Sequence, residues 1–176
     1  LQLESRSTGE HELQRHFLQA ARRKMRRVVF AEGEVAAVIR AALRLQKDNL
    51  VYPILLGRPE VVAERLTKMD SSAKLEVIHP ASSPDLQNYA GRLFSIRQRK
   101  GLTRQEALRF MHLPTYFAAM ILHVGEAEAM VAGVIPNGGS VIEQALQVVG
   151  TAPGIDRVAG MYTVLARGQT FFFTDP

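Results

Sequence analysis

The residues with most chemical promise surround a glycine turn. Pro136-Asn137-Gly138-Gly139 can neither extend a strand nor open a regular helix, so it reads as a loop. An apolar run at 129–132, of the kind a covered parallel strand needs, precedes it and is ended by Gly133. Ser140 is placed to cap the helix that follows, in which Val141, Ala145, Val148 and Val149 recur at helical spacing. Free N–H groups of such a loop face whatever lies beyond the strand, and anions bind there; the bland alternative is a tight turn and a helix cap. A second candidate is Arg97, near the end of a long helix with Arg99 and Lys100 beside it. Its guanidinium can clamp a phosphate through two N–H donors, or simply lie in water. Glu32 and Glu34 flank a glycine at a strand's carboxyl end, where open parallel sheets place ligands; a general base and a solvated turn are the two readings. His112 and His123 lie in apolar segments and read as packed or rim histidines. The chain shows no paired histidines at metal spacing, no nucleophile elbow, no Walker loop and no GxGxxG.

The elements that must position these groups follow from the pattern. An amphipathic helix is expected over 11–24, with Leu13, Phe17, Leu18 and Ala21 on one face. Strands are expected at 28–31, 51–57 and 75–78, alternating with helices over 35–46 and from Pro59 to about Thr67. Pro53 gives no ladder N–H, so the second strand should begin after it or lie at an edge. A long helix runs from Asp85 to Lys100 and stops at Gly101. Thr103 and Glu106 form a capping box for the next helix. Pro114 opens an apolar, buried helix to Val124, and two strands are expected at 158–164 and 170–173. The fold class is α/β, a mostly parallel open sheet with helices on both faces in three layers. The first domain is expected over 1–152, with a second only begun over 153–176.

Composition bounds the rest. At 176 residues, 47% hydrophobic and 22% charged, the chain is an ordinary globular sequence. With no cysteine, disulfides and thiolate metal sites are excluded. No apolar run approaches membrane-spanning length and the first residues lack signal-peptide order, so a cytoplasmic protein without membrane contact is expected. The net charge of +5 is partly concentrated in the run from Arg22 to Arg27. Such a run meets water, a phosphorylated ligand or nucleic acid, and the last is disfavoured because no aromatic is interleaved with it.

Five segments then occur in a telling order: FAEGE before an apolar helix, YPILLGRPE, YAGRLFSIRQRKGLTRQEAL, PTYFAAMILHVGEAEAMVAG and ALQVVGTAPG. Over about residues 17–175 the chain resembles the phosphate acetyltransferase and butyryltransferase family. Similar domains also end large malic enzymes, where they serve as acetyl-CoA-responsive regulatory and assembly modules. The resemblance implies a two-domain α/β homodimer with a cleft between domains, exchanging an acyl group between CoA and phosphate. CoA or acyl-CoA and phosphate or acyl phosphate are then the partners. CoA is substrate or effector, and no resident cofactor or metal is implied. The direct route needs no cysteine nucleophile. Arg97 falls on the family's cleft arginine that faces phosphate or CoA, and the implied substrate-binding set is Arg97, Asn137, Gly138, Gly139 and Ser140.

The sequence also departs from the family. The loop lacks the usual His-Ser-Thr segment. Glu143 stands where the family has a second substrate-facing arginine, and Val35-Ala36-Ala37 replaces a polar Asp-Glu-Arg-like run. The resemblance puts the family's catalytic serine, arginine and aspartate in a later stretch, so no catalytic residue is assigned and turnover by this chain alone is not expected. A phosphate acyltransferase, a non-catalytic acyl-CoA-responsive domain and a ligand-free assembly segment are the three readings. The acyl-chain preference is not legible.

Overall fold

The computed structural model describes residues 15–69, 73–134, 139–166 and 169–174. The chain divides into two compact units, Met25–Gly150 and, together, Leu1–Lys24 with Thr151–Pro176.

The larger unit is built on a parallel sheet of β1 (Arg26–Phe30), β2 (Val51–Leu56), β3 (Glu76–Ile78) and β4 (Ala129–Val131). Its order is β3-β2-β1-β4, so the chain steps outward from β1 to β3 and then returns to β1's other side. Strand alternation sends successive residues to opposite faces. Val28, Phe30 and Leu55 pack with Val38, Ile39 and Ala42 of α2 (Ala36–Lys47) and Val62 of α3 (Pro59–Met69). Val29, Ile54 and Leu56 pack on the other face with α4 (Leu86–Arg97), α5 (Arg104–Met111) and α6 (Pro114–His123). Val148, at the end of α7 (Gly139–Val148), joins that second core. This is the expected α/β architecture with helices on both faces.

Helix α6 is the hub of the second core. Tyr116 to Ile121 are all buried, which suits a segment apolar all round. Each large apolar side chain so buried stabilises the fold by about 1.5–3 kcal/mol. Pro114 at its first turn loses no helical hydrogen bond. Thr103 and Glu106 form the predicted capping box on α5, and Gly101 ends the preceding turn at φ 90°, a conformation that favours glycine.

Three expectations need correction. β2 starts before Pro53 and lies inside the sheet, yet β3 pairs only from Ile54 onward. Pro53 therefore has β1 alone as neighbour, and its missing N–H interrupts no β3 ladder. β4 is not covered: it is the outer strand of the described sheet, and Val131 is 43% exposed. Helix α7 already begins at Gly139, so Ser140 lies inside its first turn and not at the cap.

In the smaller unit, residues 15–23 form helix α1. Strands β5 (Met161–Ala166) and β6 (Gln169–Thr174) make an antiparallel ribbon. The pattern had placed β5 three residues early, where 158–160 carries no regular structure. Leu13 and the expected start of the first helix lie outside the described residues. Among the described residues no helix is long and apolar enough to cross a membrane.

Candidate functional site

Strand order fixes where a site can form. The helices after β1 and β4, α2 and α7, leave adjacent strands toward opposite faces of the sheet. Such a switch point opens a crevice at the strands' carboxyl ends. A cleft of about 530 Å³ lies there, bounded by Ala31, Glu32 and Val35 after β1 and by Leu56 and Gly57 at the end of β2. The amino end of α6 adds Leu113, Pro114 and Thr115, and α7 adds Val141 and Gln144.

Gly33 makes the first edge possible. Its N–H donates to the Leu56 carbonyl at 3.0 Å. A Cβ there would stand 2.7 Å from the Leu56 backbone N and O. Only a glycine lets the β1 turn lie this close to β2.

The two carboxylates beside it are both engaged by hydrogen bonds within the protein. Glu32 Oε1 accepts the Gly133 N–H at 2.6 Å and the Val134 N–H at 3.2 Å, tying the end of β1 to the end of β4. Glu34 accepts from the Arg58 backbone N–H at 2.9 Å, from Nε at 3.0 Å and from Nη2 at 2.9 Å. The Arg58 side chain and backbone N–H hold the Glu34 carboxyl down at about 2. A carboxylate so stabilised is a poor proton acceptor at neutral pH. Arg65 also donates to the Glu34 carbonyl, fixing the turn from behind.

Arg97 is the last residue of α4 and is half-buried. It is not among the residues lining the cleft. Its charge is felt at Tyr116, the residue after cleft-lining Thr115. The buried Tyr116 hydroxyl donates to Gln147 Oε1 of α7 at 2.7 Å. Burial pushes the Tyr116 phenol up from its ordinary value, the Glu143 carboxylate pushes it the same way, and the Arg97 guanidinium pulls it back. Arg97 and Glu143 thus act on one hydroxyl at the α6–α7 junction. The structure brings Arg97 close to this junction and leaves Asn137 and Gly138 outside the described residues. Gly139 and Ser140 open α7, whose next residue, Val141, reaches the cleft.

The other chemical candidates recede. His112 and His123 are exposed at helix ends. Among the described residues no cluster of metal-ligating side chains occurs. Arg26 and Arg27 sit at the amino end of β1, opposite the cleft, with Arg26 paired to Glu128 at 3.3 Å and Arg27 to Glu76 at 2.9 Å. The groups that sequence reasoning missed are Leu113, Thr115 and Gln144. Pro114 marked the start of their helix, but nothing in the sequence says that this start faces β1.

The comparisons agree with the architecture. The chain matches the family described as Phosphate acetyl/butaryl transferase over residues 12–176. A phosphate acetyltransferase of Helicobacter pylori is 34% identical over 163 residues, covering 92% of this chain and 31% of that protein. One from Clostridium acetobutylicum is 28% identical over 148 residues, covering 84% of this chain and 44% of its own length. The crystal structure of a phosphotransacetylase from Streptococcus pyogenes superposes with a TM-score of 0.81 at 29% identity, covering 90% of this chain and 50% of that one. The chain therefore spans 31% to 50% of the length of these relatives. With its parallel switch-point sheet and a family match over nearly all its residues, the chain belongs to the phosphate acetyl/butaryl transferase family.

Proposed function

We propose that this chain forms the first α/β half of a phosphate acyltransferase that interconverts acetyl-CoA plus phosphate with acetyl phosphate plus CoA. The observation that carries the reading is the switch-point cleft, in a chain of this family whose half-buried Arg97 acts on Tyr116, next to cleft-lining Thr115. In the proposed reaction the CoA thiolate attacks the acyl carbon of acetyl phosphate. A C–S bond forms, the C–O bond to phosphorus breaks and phosphate leaves with that electron pair. The reverse direction uses phosphate as nucleophile and thiolate as leaving group. Arg97 supplies positive charge to the carrier's phosphoryl groups, and the amino ends of α6 and α7 orient the carrier. The base that takes the thiol proton is not assigned to this chain. On family likeness alone, we add a cytoplasmic homodimer to the reading.

A second reading is favoured by Glu143. Its carboxylate acts on the same hydroxyl as Arg97, so part of the cation's field is cancelled at the junction. That arrangement suits a domain that binds acyl-CoA without turning it over, as in malic-enzyme modules. A chimaera separates the two, with this chain replacing the matching half of the Streptococcus pyogenes phosphotransacetylase. Acetyl-CoA formation from acetyl phosphate and CoA is expected. A chimaera that melts cooperatively and binds acetyl-CoA yet forms none supports the regulatory reading. If neither it nor the chain binds CoA by calorimetry, both readings fail.

A further inference from the structure

A second hollow lies at the far end of α6. That helix gives its first residues to the cleft and its last, His123, to a groove of about 590 Å³. Its ten residues set the two roughly 15 Å apart along the helix axis. Asn88, Gly91, Arg92 and Ser95 of α4 and Arg104 of α5 supply most of the groove's wall, and no carboxylate lines it. The surrounding segment is strongly cationic. Residues 86–109 carry six lysines and arginines against one carboxylate, an excess as large as the whole chain's +5. That carboxylate, Glu106, is engaged by the Thr103 cap. No ion pair among the described residues joins Arg92 or Arg104 to a carboxylate.

Two details set this groove apart from an ordinary solvated face. Arg104 is the first residue of α5, where the helix field disfavours a cation. Its guanidinium lies over the Phe94 ring, 4.5 Å from the centroid, and a stacked guanidinium keeps its in-plane N–H donors for a ligand. Gly91 weakens α4 from within, yet nothing lies within 4 Å of where its Cβ would stand, so packing does not demand it. The missing side chain leaves room in the groove. A smaller hollow of about 350 Å³ shares Gly91 and Arg104 and is walled by Ala90, Phe94 and Leu108.

We propose that the α4–α5 groove is an anion site separate from the cleft, taking the phosphate head of a small organic phosphate between Arg92 and Arg104 and its uncharged body against Phe94 and Leu108. The two guanidinium groups donate to phosphoryl oxygens, and Asn88 and Ser95 add neutral hydrogen bonds. Single-stranded nucleic acid is a poorer match, because Phe94 is half-buried and already carries Arg104, leaving no platform for a base. The inference needs no part of the acyltransferase reading, whose cation is Arg97.

The test is amide proton–nitrogen mapping on the whole chain, titrated separately with inorganic phosphate, phenyl phosphate and phenol. Both phosphates should shift the Asn88, Ser95 and Arg104 amides, phenyl phosphate should extend the shifts to Leu108, and phenol alone should not move Arg104. Arg92→Gln and Arg104→Gln should each weaken phenyl phosphate about tenfold, the order of one charge-assisted contact. Arg104→Lys keeps the charge but loses the planar fork and should recover only part of that affinity. Arg99→Gln, in the same cationic segment but outside both hollows, should change little. Equal weakening by Arg99→Gln would show a diffuse field in place of a site and overturn the proposal. Shifts produced by polyglutamate but by neither phosphate would also overturn it, in favour of an acidic protein partner. Arg97→Gln should leave these shifts intact, so loss of CoA binding in that variant and failure of this groove are separate results.

Discussion

Replacing Glu34 by glutamine removes the charge that fastens the turn after β1 to the amino end of α3. In the native chain Arg58 gives this carboxylate three hydrogen bonds of 2.9 to 3.0 Å and holds its titration at about 2, from an ordinary 4.5. An unscreened displacement of that size corresponds to roughly 3 kcal/mol. The pair is not sealed from water: the Glu34 side chain is 32% exposed and that of Arg58 54%. Screening brings the expected loss for Glu34→Gln to about 1–2 kcal/mol at neutral pH. The pH dependence has a definite sign. The unfolded chain takes up the proton first as pH falls, so the native stabilisation is complete above about 4.5 and is lost as pH drops toward 2. Urea unfolding of both proteins across that range, followed by circular dichroism with m-values compared, reads the effect. The gap between them should be constant above the window and close within it. Equal stabilities at neutral pH, or a gap unchanged through the window, would refute the clamp.

Further outcomes follow from single contacts. Gly33→Ala should cost about 3 kcal/mol, because backbone atoms 2.7 Å from the new Cβ cannot move aside; a melting temperature within a degree of the parent's would contradict this. Gly91→Ala, on α4 with nothing within 4 Å of the added atom, should instead stabilise by about 0.5–1 kcal/mol, read as a higher urea midpoint. Tyr116→Phe removes the 2.7 Å bond to Gln147 and should cost about 0.5–1.5 kcal/mol. In the parent protein an ultraviolet titration should place the Tyr116 phenol above the ordinary tyrosine range, and a normal midpoint would contradict the environment described.

Local chemistry was readable where it is decided within a few residues. The Thr103–Glu106 box, the Gly101 stop and the Pro59 and Pro114 helix starts depend on neighbours along the chain, and all appear as expected. Pro53 was misjudged because its tolerance depends on how far β3 extends along the next strand. β4 was expected to be covered because its composition is apolar, but cover is set by strand order, which periodicity does not encode. The same blindness hid the cleft. Thr115 and Gln144 are ordinary helix residues until the fold brings two helix starts beside the end of β1. Glu32 and Glu34 were placed at the end of β1 by the sequence pattern, but their partners, Gly133 and Arg58, lie 101 and 24 residues away and could not be read from it. The placement of Arg97 rested on family likeness, and its relation to Tyr116 and Glu143 emerged only in three dimensions.

The proposed function turns on Arg97, whose charge reaches Tyr116 next to the cleft, holding a phosphorylated acyl carrier, and calorimetric titration of CoA into the whole chain and its Arg97→Gln variant tests this most directly. CoA is expected to bind the parent and to bind the variant at least about tenfold more weakly, the order of one charge-assisted contact. Equal affinity for the two proteins, with both folded, would contradict it.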